Sequence, residues 1–221
     1  MVAPAPTVPA TDITQVDAML AELKDAAPRW VALSPVERAA LLRECMQTTL
    51  AVAERWAETA CAIKGYALGS NGHGEEYLGG VLAVMRNLRL FAEGLEAEGQ
   101  PQLPKTWQRP DGQWVARVFP QGLLDKVLFT GVTCDVWIEP GKAPTQGAIY
   151  RGGDHPTGVS VVLGAGNQSS IPPMDVLYKL VVDDEVCILK MNPVNEAVGP
   201  HIERAFAPLV QAGFLEVCYG G

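Results

Sequence analysis

Asn167 and Lys190 are the two side chains whose setting in the sequence offers them to a ligand. Asn167 directly follows Gly164-Ala165-Gly166, and a glycine turn lets the backbone bend tightly and approach a bound molecule closely. An asparagine amide aimed into a cleft can donate to a developing oxyanion, an effect worth ~3 kcal/mol when such a donor is removed. Asparagines after turns also satisfy the turn's own backbone, and on the residues alone this is the commoner role. Lys190 stands where a dinucleotide fingerprint favours an acidic residue for the ribose. A lysine there can donate to ribose hydroxyls or attract a 2′-phosphate, or it can be a solvated strand end, and the residue alone fits both. The glycines match only the first half of G-x-G-x-x-G, because Ser169 takes the place of the third glycine. A lone G-x-G is weak evidence.

Other chemistries find less support. Cys45, Cys61, Cys134, Cys187 and Cys218 form an odd, scattered set without C-x-x-C. They lie on or near a helical face or in strand-like runs, ordinary homes for a buried thiol. His73, His155 and His201 are far apart and lack zinc-like spacing, so no metal site is expected. Ser169 or Ser170 with Asp175 and a histidine would supply a hydrolase triad, but G-x-S-x-G is absent.

The elements around these residues predict a βαβαβ unit. Val159 to Leu163 is an apolar, β-branched run suited to a parallel strand buried on both faces. Pro172-Pro173 fits a helix start, and Met174, Leu177, Tyr178 and Val181 give that helix an apolar face. Glu185 to Lys190 returns as a second strand. Gly199-Pro200 opens a second helix with Ile202, Phe206, Leu209 and Val210 on one stripe, and Pro208 should kink or loosen it. Gly213 stops it, and Phe214 to Tyr219 forms a third strand, followed by Gly220-Gly221 where another turn would begin. Ligands of open α/β sheets bind at the carboxyl ends of such strands.

Upstream the texture is helical. Residues 1–10, MVAPAPTVPA, form a Pro/Ala leader without a basic n-region. Thr11 to Ala27 is a short amphipathic helix, and Ser34-Pro35-Val36-Glu37 is a capping box opening a long helix to Lys64-Gly65. Its apolar residues are Leu42, Cys45, Thr49, Val52, Trp56, Ala60 and Ile63. Gly69 to Gly74 is a loop, and Glu75 to Glu98 a helix with Leu78, Leu82, Met85, Leu88, Ala92 and Leu95 inward. From Pro101 to Pro156 prolines, glycines and short β-rich runs (Gln113 to Phe119, Val127 to Phe129, Thr133 to Ile138) replace that periodicity. The resulting division is 1–10 leader, 11–100 helical part, 101–156 β-rich connecting or oligomerisation segment, and 157–221 partial dinucleotide-binding unit.

Composition sets outer bounds. The chain has 221 residues, 48% of them hydrophobic, and a net charge of −8. Its pI is near 4.9 and its mean hydropathy +0.10, which argue for a globular protein and against nucleic-acid or anionic-membrane partners. No run of about 18 apolar residues predicts a membrane span, and the cysteine usage fits a reducing, cytoplasmic compartment.

The order of these parts resembles the N-terminal portion of the aldehyde dehydrogenase superfamily, in a divergent bacterial-type branch. LSPVERAALLRECM (Leu33 to Met46) is similar to that family's first long helix. LGAGNQSSIPPMDVLYKL is similar to its P-W-N turn and following helix, CILKMNPVNE to its strand ending in K-P-[SA]-E, and FAPLVQAGFLEVCYGG to the next helix and strand. The resemblance implies an incomplete α/β fold, with N-terminal helices, a β-rich segment and part of a Rossmann-like parallel sheet. It implies an oxidoreductase that takes an aldehyde to an acid and passes hydride to NAD or NADP, acts on a small-molecule aldehyde, and forms a homo-oligomer when complete. By the same resemblance Asn167 helps hold the oxyanion, Gly164, Ala165 and Gly166 form the cofactor turn, and Lys190 contacts the adenosine ribose. The family's glutamate three residues after the lysine corresponds to Pro193, and Glu196, three further on, is the candidate in its place. Ala165-Gly166 replaces Pro-Trp, which makes that wall of the cleft smaller. The nucleophilic cysteine, the general-base glutamate and the pyrophosphate turn are expected beyond Gly221, so the chain alone is expected to be inactive. The alternative is a non-catalytic interaction module that pairs with a full-length relative or with a separate C-terminal half.

Overall fold

The computed structural model describes residues 5–152 and 157–220. Expectations for residues 1–4 of the leader, for His155 with the rest of 153–156, and for Gly221 lie outside the described residues. Two long helices come first. Helix α1 spans Ile13–Ala32, entered through a capping box between Asp12 and Gln15. It runs five residues past the predicted end at Ala27 and through Pro28. Proline costs that helix one backbone bond, but Trp30 anchors the turn beyond it. The indole is fully buried, donates to the Leu180 carbonyl at 3.0 Å and meets Phe214 edge-on at 5.1 Å.

Helix α2, Pro35–Lys64, begins at the expected Ser34/Glu37 box and ends at Gly65, whose φ of 71° is the left-handed cap that glycine adopts without penalty. Leu42, Cys45, Thr49, Trp56 and Ala60 of its stripe are buried. The next helix starts earlier than predicted. Ser70 accepts from the His73 N–H and caps α3, Asn71–Glu76, so the expected loop is helical from Asn71 onward. A π turn, Tyr77–Val81, then leads into α4, Leu82–Glu96. Its wider turn shifts the phase of the helix. Leu78 and Leu82 therefore end 67% and 54% exposed, against expectation, while Val81 and Val84 go inward with Leu88, Ala92 and Leu95.

An antiparallel sheet follows, built of β1 (Lys105–Gln108), β2 (Trp114–Phe119) and β3 (Cys134–Trp137) in that order. Arg117 and Asp135 pair across it at 2.7 Å. Val127 to Phe129, expected as a strand, instead ends helix α5, Leu123–Leu128. Asp125 accepts from the Gln121 N–H at 3.1 Å, which ties this turn to its own entrance and favours helix over extension.

The second sheet is parallel: β4 (Val159–Leu163), β5 (Val186–Lys190) and β6 (Leu215–Cys218), with β5 central. Helix α6, Ile171–Val182, carries Pro172 and Pro173 in its first turn and packs on β4 and β5, while α1 touches all three strands. The second connection breaks as Pro208 predicts, into α7 (Gly199–Ala205) and α8 (Ala207–Gln211). Leu209 donates to Phe206 rather than one residue further back, and the released Ala205 carbonyl accepts the Thr48 hydroxyl at 2.5 Å. The double burial expected of the first strand is not found. Val162 is buried, but Val161 and Leu163 are 61% and 74% exposed, because β4 is an edge strand and no described element covers that face. This is an incomplete α/β fold with a three-stranded parallel sheet.

Candidate functional site

The glycine turn sits at the carboxyl end of β4, beside the exit of β5. Parallel register pairs Leu163 with Lys190, and the Gly164 N–H donates to the Lys190 carbonyl at 2.9 Å. Gly164 is buried, and a Cβ there would stand 3.1 Å from that carbonyl and 3.3 Å from Pro172 Cγ. A Cβ on Gly166 would meet Asn192 Oδ1 at 2.9 Å. Close packing against the β5 exit thus demands both glycines. Ala165, between them, gives its carbonyl to the Asn195 side chain at 3.2 Å.

The far end of the turn is fastened to the helical part. Ser169 and Ser170 are each 3% exposed. Trp56 Nε1 donates to Ser169 Oγ at 2.9 Å, and Ser170 Oγ donates to the Gly79 carbonyl at 2.5 Å. The π turn lets its two glycines meet this segment, since a Cβ on Gly80 would lie 3.2 Å from Ser169 Oγ and one on Gly79 would lie 3.4 Å from Gln168. Both serines are therefore spent on packing, which leaves a hydrolase without its nucleophile.

Asn167 is the exposed crown of this turn, and its side chain makes no hydrogen bond among the described residues. Lys190 is half-buried at the carboxyl end of β5, again without a side-chain partner among the described residues. An unpaired, partly desolvated ammonium at a sheet's ligand-binding edge suits a hydroxyl-rich or anionic group. Glu196 follows Asn195 and opens a short 3-10 turn, Glu196–Val198, where it is half-buried. Gly164, Ala165, Gly166 and Lys190 are brought together by direct contacts, and Asn167 rises from the same turn. Sequence reasoning missed Asn192 and Asn195, the residues that hold the turn. An asparagine before proline (Asn192-Pro193) and another two residues after that proline were the available signal for a side-chain-bonded turn.

No thiol lies in this turn. Burial pushes Cys45 up to about 12 and raises Cys61, Cys187 and Cys218 as well, so these four are held as thiols. Cys134 is exposed but belongs to β3 of the other sheet. No cluster of metal-ligating side chains occurs among the described residues. A cleft of about 770 Å³, lined chiefly by α4 and α5, shares no residue with the glycine turn. Its arginines are engaged, Arg86 with Asp125 at 3.3 Å and Arg89 with Glu93 at 2.7 Å.

Fold and site together give a three-stranded parallel sheet in an α/β fold, with an exposed asparagine just beyond the carboxyl end of β4. Solved structures that share this fold include aldehyde dehydrogenases. An aldehyde dehydrogenase from Brucella melitensis biovar abortus 2308 matches at 17% identity and a TM-score of 0.61, over 97% of this chain and 35% of that one. A NAD-dependent benzaldehyde dehydrogenase from Corynebacterium glutamicum matches at 15% identity and 0.58, over 96% and 37%. The glyceraldehyde-3-phosphate dehydrogenase GapN from Methanocaldococcus jannaschii DSM 2661, complexed with NADP, matches at 10% identity and 0.59, over 97% and 38%. The chain thus has the fold of part of an aldehyde dehydrogenase and spans little more than a third of those chains. No family profile and no curated protein matches the sequence, and no described helix is long and apolar enough to cross a membrane.

Proposed function

We propose that this chain is the N-terminal portion of an NAD(P)-dependent aldehyde dehydrogenase-like oxidoreductase, taking an aldehyde to an acid. The observation that carries the reading is the exposed, unpaired Asn167 amide at the carboxyl end of β4, in a fold shared with enzymes of that class. Asn167 would donate to the oxygen of the attacked aldehyde carbon as negative charge develops on it, which is where a fixed donor contributes most. Lys190 would hold the ribose side of NAD or NADP, with Gly164, Ala165 and Gly166 as the wall of that site and Glu196 near the β5 exit. The nicotinamide, when bound, supplies the hydride acceptor. The four buried thiols and the distant Cys134 leave the covalent step without a nucleophile here, so the 221-residue chain by itself should oxidise no aldehyde.

The test has two arms. Calorimetric titration with NAD and NADP should show binding that Lys190→Ala weakens at least several-fold. Aldehyde-dependent NAD(P)H formation by the purified chain, abolished by substituting one of its own cysteines, would sink the assignment of inactivity. The second reading, a non-catalytic module that pairs with a relative or with a separate C-terminal half, is favoured by the uncovered apolar face of β4. Stoichiometric co-purification of a second polypeptide from the source cell would support it.

A further inference from the structure

We infer that Asn195 is the positioning residue of this site: it locks the glycine turn so that Asn167 is presented in one orientation. Asn195 is 2% exposed, and its Nδ2 donates to the Ala165 carbonyl at 3.2 Å. It lies beyond β5 in sequence and reaches back to the turn that ends β4. Its own backbone N–H donates to the Asn192 carbonyl at 2.9 Å, and Asn192 Oδ1 accepts the Val194 N–H at 3.0 Å. The β5 exit is thereby a small closed unit bonded within itself. Asn192 of that unit fills the space a Cβ on Gly166 would need, so the turn is held by a hydrogen bond at residue 165 and closely packed at residue 166. On its other flank, Trp56 and the Gly79 carbonyl hold Ser169 and Ser170. Between two anchored flanks Asn167 is exposed and unpaired among the described residues.

An exposed, unpaired side chain is ordinarily mobile, and a mobile donor stabilises a developing charge poorly because it must be ordered first. Fixing its backbone on both sides removes much of that freedom. A buried amide spent on one loop carbonyl is also costly to leave unmatched, which gives the turn a single preferred arrangement. The lock is a property of this chain alone, and only its use in orienting an oxyanion donor rests on the function proposed above.

The two parts are tested separately. In the full chain, ¹⁵N relaxation should give amide order parameters near 0.85 for Ala165, Gly166 and Asn167, the range of rigid backbone. In Asn195→Leu and Asn195→Asp, which lack the donor, they should fall below about 0.6, with signals from α2 and β2 unmoved. Unchanged order parameters in a folded variant overturn the lock. Should neither variant fold, the unmodified protein still decides. The Asn195 side-chain N–H₂ protons should exchange with solvent at least tenfold more slowly than those of exposed Asn167, and equal rates overturn the proposal. Nucleotide titration of the same samples tests the functional reading. A wild-type chain that binds neither NAD nor NADP but shows the rigid turn would defeat the dehydrogenase assignment and leave the lock standing.

Discussion

Arg38 and Asp184 meet at 2.7 Å with side chains only 4% and 2% exposed, joining the first turn of α2 to the bend between α6 and β5. The guanidinium also lies 4.8 Å over the Trp30 ring, and its remaining N–H groups reach the Val31 and Leu33 carbonyls. Asp184 holds a positive φ of 60°, a conformation that aspartate tolerates better than most residues. Removing one partner of a buried pair strands the other charge and costs about 3–5 kcal/mol, whereas replacing both is far milder. Arg38→Met should lower stability by that amount in urea unfolding, and Arg38→Met with Asp184→Asn should cost clearly less than the two single changes summed. Additive losses would show that the pair is not coupled.

The Trp56–Ser169 bond makes a second prediction, because it is where the helical part grips the glycine turn. Trp56 is fully buried and its donor is aimed at Ser169 Oγ. Ser169→Ala leaves that N–H unmatched, at a cost of about 1–3 kcal/mol. Trp56→Phe removes the donor and some packing. Thermal unfolding of both singles and the double should show a double loss smaller than the sum, and strict additivity would deny the contact any weight.

What the sequence revealed tracks how local each determinant is. The Ser34/Glu37 box, the Gly65 cap and the Pro208 break are written in residues next to one another, and each stands where expected. The π turn is not local in that sense. Its extra residue is stabilised by Gly79 and Gly80 meeting Gln168 and Ser169 across the fold, so helical periodicity assigned Leu78 and Leu82 to the wrong side. Val127 to Phe129 was misassigned because a short apolar run fits strand or helix equally, and the Asp125 bond to Gln121 decides it. The turn residues Gly164 to Asn167 were legible from glycine chemistry. Asn195 was not, since its partner lies thirty positions away in sequence.

His201 should make stability depend on pH near neutrality. Its Nε2 shares a hydrogen bond with Thr59 Oγ1 at 2.9 Å. Burial first, then the charges of Arg204 and Arg55, lower its pKa below the ordinary 6.5. The unfolded chain takes up a proton as pH falls through about 6.5, but the folded chain resists until lower pH. The contribution is therefore fully present above about 6.5 and is lost as pH falls toward the lowered folded value. The melting temperature of the wild type should drop more steeply between pH 7 and pH 5 than that of His201→Gln, and parallel profiles would refute the assignment.

The parallel sheet has two edge strands, β4 and β6, and the exposed apolar surface on one of them makes the last prediction. β6 is an edge strand as β4 is, but its faces are covered, since Leu215 is fully buried and Val217 and Cys218 nearly so. Thr11 covers the exit of β6, its backbone N–H and hydroxyl bonding the Tyr219 main chain at 3.1 and 2.9 Å. The exposure lies on β4, where Val161 and Leu163 stand beside Tyr178, itself 51% exposed. Parallel sheets are normally covered on both faces, and an unpaired apolar strand templates pairing with another chain. The isolated protein should therefore self-associate at micromolar concentrations. Leu163→Lys puts a charge on that edge, the device by which natural edge strands resist pairing. Leu163 is 74% exposed, so the change should leave the melting temperature nearly untouched while shifting the sedimentation profile toward monomer. A wild-type chain that sediments as a monomer, or a Leu163→Lys variant that associates as strongly as its parent, would place the sticky surface elsewhere.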